Sequence, residues 1–237
     1  MSILEETIRL KSKDVDMFRR LRVSRLFELF QEASIRHTEQ LGMGREKTLD
    51  KGLLWVLLMQ RAEIERLPEY DEEIRLRSWP GETMHLLFPR YCTVETTEGE
   101  PLIRSSALWS LVDAKSRKVI FPEKYGILIT GESVEEKIPL PGSIPKPEAE
   151  MEQFFTVPYS FVDLNGHMNN TRYFDLAEDS IGAAAEGRML KRIETEYINE
   201  ARFGEKLVLR WQKREDAFLL SGESTKPVFR MKLTYDP

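Results

Sequence analysis

The sequence predicts an α+β protein with two similar units in one chain, each an antiparallel sheet wrapped around one long helix. Two observations favour this fold. Each half of the chain contains one long helical pattern followed by several short alternating segments. The two halves also match each other in order along the chain. A helix of this kind is expected to pack its apolar side on the concave face of the sheet.

The first half begins with an alternating strand, Glu6–Leu10, and continues with a helix over Ser24–Leu41. Ser24 is a candidate helix cap, and Gly42 is a typical helix stop. Apolar residues then recur along further segments that are bounded by turn residues. The strands predicted there are Leu53–Arg66, Ile74–Trp79, Leu86–Thr96, Ile103–Asp113 and Lys118–Phe121.

A change in composition separates the two halves. Four prolines and scattered charges lie within Ile129–Glu150, and this composition predicts an extended linker. After it come a strand at Phe154–Val157 and a helix that begins with Asn170 or Thr171 as its cap. The remaining predicted strands are Ile193–Asn199, Leu207–Trp211, Phe218–Glu223 and Phe229–Tyr235.

The two halves look like copies of each other. A shift of 147 residues places Phe27 on Phe174, and a shift of 133 residues places Ile74 on Leu207. Single matches between amphipathic elements arise by chance, whereas their shared order predicts duplication. Further pairs at the first shift are Asp16 with Asp163, Arg25 with Arg172, Glu28 with Asp175 and Leu29 with Leu176.

The composition is that of an ordinary soluble protein, with 41% hydrophobic and 32% charged residues. The net charge of −5 gives no reason to expect a nucleic-acid partner. The longest apolar run, Leu53–Met59, is too short to span a bilayer. The N-terminus lacks the pattern of a secretory signal, and the single cysteine, Cys92, excludes an internal disulfide. A reducing cytoplasm is therefore the expected compartment.

A dense group of polar residues precedes the second predicted helix. Asp163, Asn165, His167, Asn169 and Asn170 fall within eight positions. They occupy a loop that runs into the helix N-terminus, where free amides and the helix dipole can hold a developing oxyanion. Each of these residue types is also common in turns and helix caps, so each one alone is compatible with a structural role.

The first copy lacks most of this polar group. At the shift of 147 residues, Phe18 and Arg20 stand where the second copy has Asn165 and His167, and Asp16 alone is retained. The sequence therefore predicts one active site per chain, built by the second half.

The polar group also carries a family resemblance. The pattern Asp-x-x-Gly-His-x-Asn-Asn-x-x-Tyr resembles the signature of the hotdog-fold thioesterases, and Asn165 makes it similar to the acyl-ACP thioesterases of bacteria and plants. The segment Arg90–Val119 is similar to the first domain of the same family. The residues of the pattern are Asp163, Gly166, His167, Asn169, Asn170 and Tyr173.

The resemblance implies two tandem hotdog domains. Residues 1–130 would form an N-terminal domain without a complete catalytic motif, which would supply the acyl pocket. Residues 131–150 would be a Pro-rich linker, and residues 151–237 a C-terminal domain that carries the catalytic residues. Hotdog domains usually pair, so a homodimer is a further expectation, although the tandem can satisfy this pairing within one chain.

The resemblance also implies catalytic roles for four residues. Glu200, in the run Glu196–Ala201, matches the catalytic glutamate of the family and would activate or orient a water molecule. His167 would hydrogen-bond to the same water, and Asn165 would position the water or the carbonyl group. Asp163 would orient Asn165 and His167, or would itself be the base or nucleophile. The sequence leaves the base role open between Asp163 and Glu200.

Further residues are expected to bind the substrate or support the loop. Backbone amides from Gly166 onward would form the oxyanion hole, with Gly166 allowing close approach. Plant members of the family often carry a cysteine after the catalytic glutamate, and Ala201 at that position argues against a covalent acyl-cysteine. The supporting residues are Gly166, Met168, Asn169, Asn170 and Tyr173.

The leading hypothesis is hydrolysis of fatty acyl-ACP to free fatty acid and ACP. The partner would be acyl carrier protein with its phosphopantetheine-linked chain, and no cofactor is expected. A metal bound by Asp163, His167 and Glu200 would lack any recognised zinc spacing, so none is expected. The alternatives are an acyl-CoA or aryl-CoA thioesterase, a hotdog dehydratase or hydratase, and a non-catalytic acyl-binding protein. The tandem architecture and Asn165 favour the carrier-protein substrate.

Overall fold

The first half of the chain forms five strands and one long helix. The computed structural model describes residues 3–132, 134, 137–148, 151–185 and 187–236. Strand β1 spans Leu4–Arg9, and helix α1 spans Val23–Gln40. The other strands of this half are β2 Leu53–Ile64, β3 Glu73–Pro80, β4 Phe88–Thr96 and β5 Pro101–Asp113.

The second half repeats this arrangement with a shorter helix, α2, over Arg172–Ile181. The alternation is clear in its last strand, where Phe229, Met231 and Leu233 are buried and the residues between them, Arg230 and Lys232, are half-exposed. This alternation is typical of a strand with one face on the core. The strands are β6 Met151–Thr156, β7 Leu190–Tyr197, β8 Lys206–Arg214, β9 Ala217–Glu223 and β10 Pro227–Tyr235.

These ten strands of the described chain form one antiparallel sheet, in the order β1-β3-β4-β5-β2-β7-β10-β9-β8-β6. Each half contributes five neighbouring strands, and the order in the second half mirrors that in the first. Strands β2 and β7 join the halves at the centre, with Gln60 opposite Thr195 and Ala62 opposite Ile193. The predicted α+β fold, with one helix per half, is confirmed.

The two helices contact each other through residues that the internal repeat aligns. The rings of Phe27 and Phe174, which the 147-residue shift pairs, stack with their centroids 4.1 Å apart and an interplanar angle of 12°. Arg172 of α2 also pairs with Glu28 of α1, with nitrogen and oxygen 3.3 Å apart. One continuous hydrophobic core therefore runs through both halves, between the helices and the sheet.

Two local predictions are wrong. Helix α1 begins one residue before Ser24, which lies buried inside the first turn and is not the cap. The segment Lys118–Phe121 is not a strand, because only Val119 forms an isolated bridge, to Val112. Pro122 begins a 3-10 turn directly afterwards, and because proline has no amide hydrogen the pairing cannot continue.

The linker packs against the sheet. Five residues of the predicted linker, 133, 135, 136, 149 and 150, lie outside the described residues. Its described part holds Ile138 and Ile144 buried. Ser106 donates a hydrogen bond to the carbonyl of Pro139 (2.6 Å), and Arg230 donates one to the carbonyl of Ile144 (3.3 Å). Since Arg230 alternates with core residues along β10, this segment crosses the face of the sheet away from the helices.

The helices of the described chain are too short or too polar to cross a membrane. Their role is to cover the concave face of the sheet, where Phe174 is fully buried. The loop that carries the polar group, residues 163–170, leads into the N-terminus of α2, and we call it the motif loop.

Replacing Phe174 by alanine should lower the free energy of unfolding by about 3–5 kcal/mol, because a buried ring stacked between the two helices would leave a cavity. Urea unfolding followed by circular dichroism measures the change. Phe154→Ala is the matched control, since this ring on β6 is 76% exposed and its loss should cost less than about 0.5 kcal/mol. Equal losses in both variants would contradict the helix contact.

Candidate active site

The motif loop is a tight turn closed by its own backbone. The amide of Asn165 donates to Oδ1 of Asp163 (2.8 Å), and the amide of Gly166 donates to the carbonyl of Asp163 (3.0 Å). The amide of Asp163 in turn donates to the carbonyl of His167 (3.0 Å). Gly166 has φ +81°, whereas a Cβ added there would meet no atom within 4 Å. The glycine therefore serves the backbone conformation of the turn, not the close approach of other protein atoms.

The first half contains the same turn, but without the asparagine and histidine side chains of the motif. Oδ1 of Asp16 accepts hydrogen bonds from the amides of Phe18 and Arg20, each at 2.9 Å. Arg19, at the position equivalent to Gly166, also has a positive φ of 66°. The turn geometry alone is thus a structural feature of the repeat. What distinguishes the second half is the set of side chains displayed on it.

His167 lies between two carboxylates. Its Nδ1 is 4.0 Å from Oδ1 of Asp163, and its Nε2 is 3.7 Å from Oε1 of Glu200. All three side chains are partly buried, with exposed fractions of 19–33%. The structure therefore brings together three of the four residues that were assigned catalytic roles, although Glu200 is 33 positions further along the chain from His167.

Glu200 is held next to the motif loop by backbone contacts. It follows the end of β7, in a segment where the amide of Met168 donates to the carbonyl of Ala201 (2.7 Å). His167 and Arg202 also form an isolated β-bridge. The side chain of Met168 is buried in the core and thus anchors the loop; it does not face the solvent.

Arg117 is a site residue that sequence analysis missed. It lies in the turn after β5 of the first half, with φ 57°, and its Nη1 is 3.0 Å from Oε1 of Glu200. Oε1 therefore faces both Arg117 and His167. Arg117 belongs to the segment that resembles the first domain of the family, but no local pattern links it to a residue 83 positions later.

Fewer backbone amides of the motif loop are free to hold an oxyanion than the sequence predicts. Asn165 is exposed, and its recorded hydrogen bond is made by its backbone amide. The amides of Gly166, Met168 and Asn169 already donate to protein carbonyls, so an oxyanion hole formed by the whole run from Gly166 onward is not available. Within the described chain, the loop amides without an acceptor are those of Leu164, His167 and Asn170, and the last two lie after Gly166.

Asn169 braces the entry into α2. Its Oδ1 accepts hydrogen bonds from the amide of Thr171 (2.9 Å) and from the hydroxyl of Thr171 (2.8 Å). Its amide donates to the carbonyl of Phe161 (2.8 Å). Thr171 is the N-cap residue of α2, one of the two predicted positions, but its side chain makes no capping hydrogen bond and instead donates to Asn169.

Asn170 is held by β7 of its own half, with support from β2 of the first half. The hydroxyl of Tyr197 on β7 donates to the carbonyl of Asn170 (2.9 Å). Gln60, on the neighbouring strand β2, donates in turn to the Tyr197 oxygen (2.5 Å). Tyr173 packs edge-on against Tyr197, and burial raises the pKa of its phenol. These residues therefore fix the loop in place; none of them is poised as an acid or base.

The cysteine is not a nucleophile in this geometry. Cys92 is buried on β4, and its thiol donates to the hydroxyl of Ser78 (3.4 Å). Burial raises the pKa of this thiol, which keeps it protonated and unreactive. Among the residues described, no group of three or more His, Cys, Asp or Glu side chains is arranged to hold a metal ion.

Two cavities lie between α1 and the sheet of the first half. The outer cavity, about 180 Å³, has apolar walls that include Trp55, Phe88 and Ile129. The inner cavity, about 20 Å³, is bordered by Asn170 and Thr171 of the motif loop. Together they extend from that loop into the first half, since three residues line both: Ser34, Arg90 and Trp109.

Most of the basic residues around α2 are engaged by neighbours. Arg172 pairs with Asp175 and Glu28, and Arg192 pairs with Glu63. In contrast, large apolar side chains are exposed beside the motif loop: Tyr159, Leu164 and Phe203, at 81%, 90% and 64%.

Comparison with known proteins identifies the family. Residues 2–124 match the acyl-ACP thioesterase N-terminal domain, and residues 144–226 match the acyl-ACP thioesterase C-terminal domain. The chloroplastic acyl-(acyl-carrier-protein) hydrolase FATB3 of Cuphea viscosissima is 24% identical over 212 residues, which cover 83% of this chain and 52% of that protein. The chain thus spans about half the length of the curated relatives it matches.

Solved structures share the whole fold. An acyl-ACP thioesterase from Bacteroides thetaiotaomicron superposes with a TM-score of 0.86 at 20% identity, over 99% of this chain and 98% of that one. The 12:0-ACP thioesterase from Umbellularia californica gives 0.83 at 19% identity, over 99% and 97%. With both domain models matched in order on this tandem hotdog fold, the chain belongs to the acyl-ACP thioesterase family.

Proposed function

We propose that this protein hydrolyses the thioester of fatty acyl-ACP to free fatty acid and ACP. The observation that carries the proposal is the position of His167 between Asp163 and Glu200, on a loop that borders the inner cavity. A thioester carbonyl held at this loop would have water-activating groups on one side and room for its chain on the other.

In the proposed reaction, Glu200 orients and deprotonates the attacking water. Its Oε1 is occupied by Arg117 and His167, which leaves Oε2 to accept the proton. Water oxygen attacks the carbonyl carbon, the carbon–sulfur bond breaks, and the leaving thiolate takes the proton that Glu200 removed from the water. Asp163 closes the turn through Oδ1, which also lies 4.0 Å from Nδ1 of His167, so we assign Asp163 the role of orienting the loop and His167.

The developing oxyanion requires hydrogen-bond donors. The amides of His167 and Asn170 lie on the motif loop without recorded acceptors, and the exposed side-chain amide of Asn165 adds a third donor. These groups take the place of the longer amide run that was expected from Gly166 onward.

The acyl chain would extend through the cavities of the first half. Their walls are formed by α1 and by strands β2, β4 and β5, and the outer one is mainly apolar. We therefore propose that the acyl pocket lies in the half that lacks the motif, with domain limits of 1–130 and 151–237.

A protein carrier fits the surface better than a free coenzyme. The exposed rim of Tyr159, Leu164 and Phe203 beside the motif loop offers a broad apolar and aromatic surface of the kind found in protein–protein interfaces. Hydrolysis of acyl-CoA or aryl-CoA remains the second candidate, since the catalytic group acts on the thioester and not on the carrier.

A panel of acyl-ACP and acyl-CoA substrates tests the proposal. Release of free thiol should be faster for acyl-ACP than for the matching acyl-CoA at equal concentration. Faster release from acyl-CoA would favour the second candidate. A pure, folded sample that released thiol from neither, but hydrated an enoyl thioester, would indicate a dehydratase or hydratase instead.

Glu200→Gln should reduce kcat by about 10²–10⁴-fold, the range for loss of an acid–base group. Asp163→Asn should reduce it by about 10²-fold, because His167 would lose the charge that orients it. The matched control is Asp16→Asn, which removes the same turn carboxylate from the first half, where no catalytic group follows. Thermal unfolding should be affected similarly by both Asp→Asn changes, whereas turnover should fall in Asp163→Asn alone. Near-full activity of Glu200→Gln and Asp163→Asn would show that the site lies elsewhere.

Arg117→Met should lower kcat by roughly tenfold with little change in KM, because Glu200 would lose the contact that fixes Oε1. Arg117→Lys should recover part of the loss, since the charge is kept but the planar fork is not. Steady-state kinetics on acyl-ACP separates the two constants. A change confined to KM would mean that Arg117 contacts the carrier or substrate and does not position Glu200.

A further inference from the structure

The wall of the inner cavity contains a buried cation. Arg90 on β4 is 6% exposed and lines both the inner and the outer cavity. Its Nη1 donates to Nδ1 of His37 (2.9 Å), and its Nη2 donates to the hydroxyl of Thr38 (2.8 Å). Since Nδ1 accepts, His37 has its proton on Nε2 and is neutral. Arg90 therefore lies where a chain passing between the cavities would touch it.

No carboxylate balances this charge within the described part of the chain, where Arg90 has no ion-pair partner. Desolvation lowers the pKa of its guanidinium to about 10, which still leaves the group charged at neutral pH. The last turn of α1 supplies the partial negative charge of a helix C-terminus, but not a full counter-charge. A buried ion without a partner is costly, so this arrangement requires an explanation.

The inner cavity around Arg90 has polar walls, whereas a channel for an unsubstituted hydrocarbon chain is expected to be apolar. Gln31, Ser34, Gln60 and Ser105 line the same space. Two of the five N–H groups of the guanidinium are used in the recorded hydrogen bonds. A plain methylene chain would offer the remaining donors nothing, whereas an oxygen on the chain would accept from them.

We propose that Arg90 makes the acyl channel selective for chains that carry an oxygen acceptor, as a hydroxyl, oxo or carboxylate group, over unsubstituted chains of equal length. This selectivity rests on the proposed function, because it concerns the substrate of the same site. A site that hydrogen-bonds a substrate oxygen discriminates strongly against the analogue that lacks it, since its own donors are then left unpaired.

The test compares acyl-ACPs of one chain length, unsubstituted or bearing the oxygen near the thioester, in mid-chain or at the far end. For wild-type protein, kcat/KM for at least one oxygenated substrate should exceed that for the plain chain by about tenfold or more. Arg90→Met, which keeps the side-chain length without the charge, should bring that ratio close to one. Arg36→Met is the control, because Arg36 is paired with Glu6 on the outer side of α1 and should leave the ratio unchanged.

Several results would overturn the proposal. Wild-type protein that hydrolyses the plain chain at least as fast as every oxygenated one excludes it, even if Arg90→Met does not fold. Unchanged ratios in a folded Arg90→Met variant also exclude it. Faster turnover of longer plain chains in that variant, at an unchanged ratio, would make Arg90 a stop for chain length instead.

A binding measurement separates this inference from the proposed function. Non-hydrolysable acyl-pantetheine amides, oxygenated or plain, can be compared by the shift in Tm they produce. The oxygenated amide should give the larger shift in wild-type protein and lose that advantage in Arg90→Met, whether or not the thioesters are hydrolysed. Equal shifts would contradict the role of Arg90, whereas absent hydrolysis with unequal shifts would contradict the proposed function alone.

Discussion

The pairing of β2 with β7 is the contact on which the rest of the structure depends. It joins two half-sheets into one, sets α1 against α2, and brings side chains of the first half to the loop of the second. Gln60 reaches Tyr197 across this junction, and Arg117 reaches Glu200. An isolated second half would lack both contacts. The copy without the motif therefore still shapes the site.

Under the proposed function, the two halves divide two conflicting demands. Groups that activate water need a polar, partly exposed setting, whereas an acyl chain needs a dry channel. The turn around Asp16 and the turn around Asp163 have the same backbone, but the polar side chains are on the second turn. The first half, which lacks the motif, forms most of the walls of both cavities. Arg90 is the exception to this division, because it places a charge in those walls.

Much of the fold followed from short-range patterns in the sequence. Apolar periodicity located both helices and all ten strands of the described chain to within a few residues. The exceptions had local causes: Ser24 lies inside α1, and Pro122 prevents a strand at Lys118–Phe121. The internal repeat aligned Phe27 with Phe174, and the structure adds that these two equivalent rings stack on each other where the halves pack together.

The sequence by itself determined which loop carries the reactive groups, because Asp163, Asn165 and His167 are neighbours along the chain and their turn is closed by local hydrogen bonds. The family resemblance added Glu200. Tertiary structure alone decided that Arg117 faces Glu200 and that Arg90 lies between two cavities. The physical reason is that strand pairing joins residues far apart in sequence, and no local pattern encodes which of them will meet.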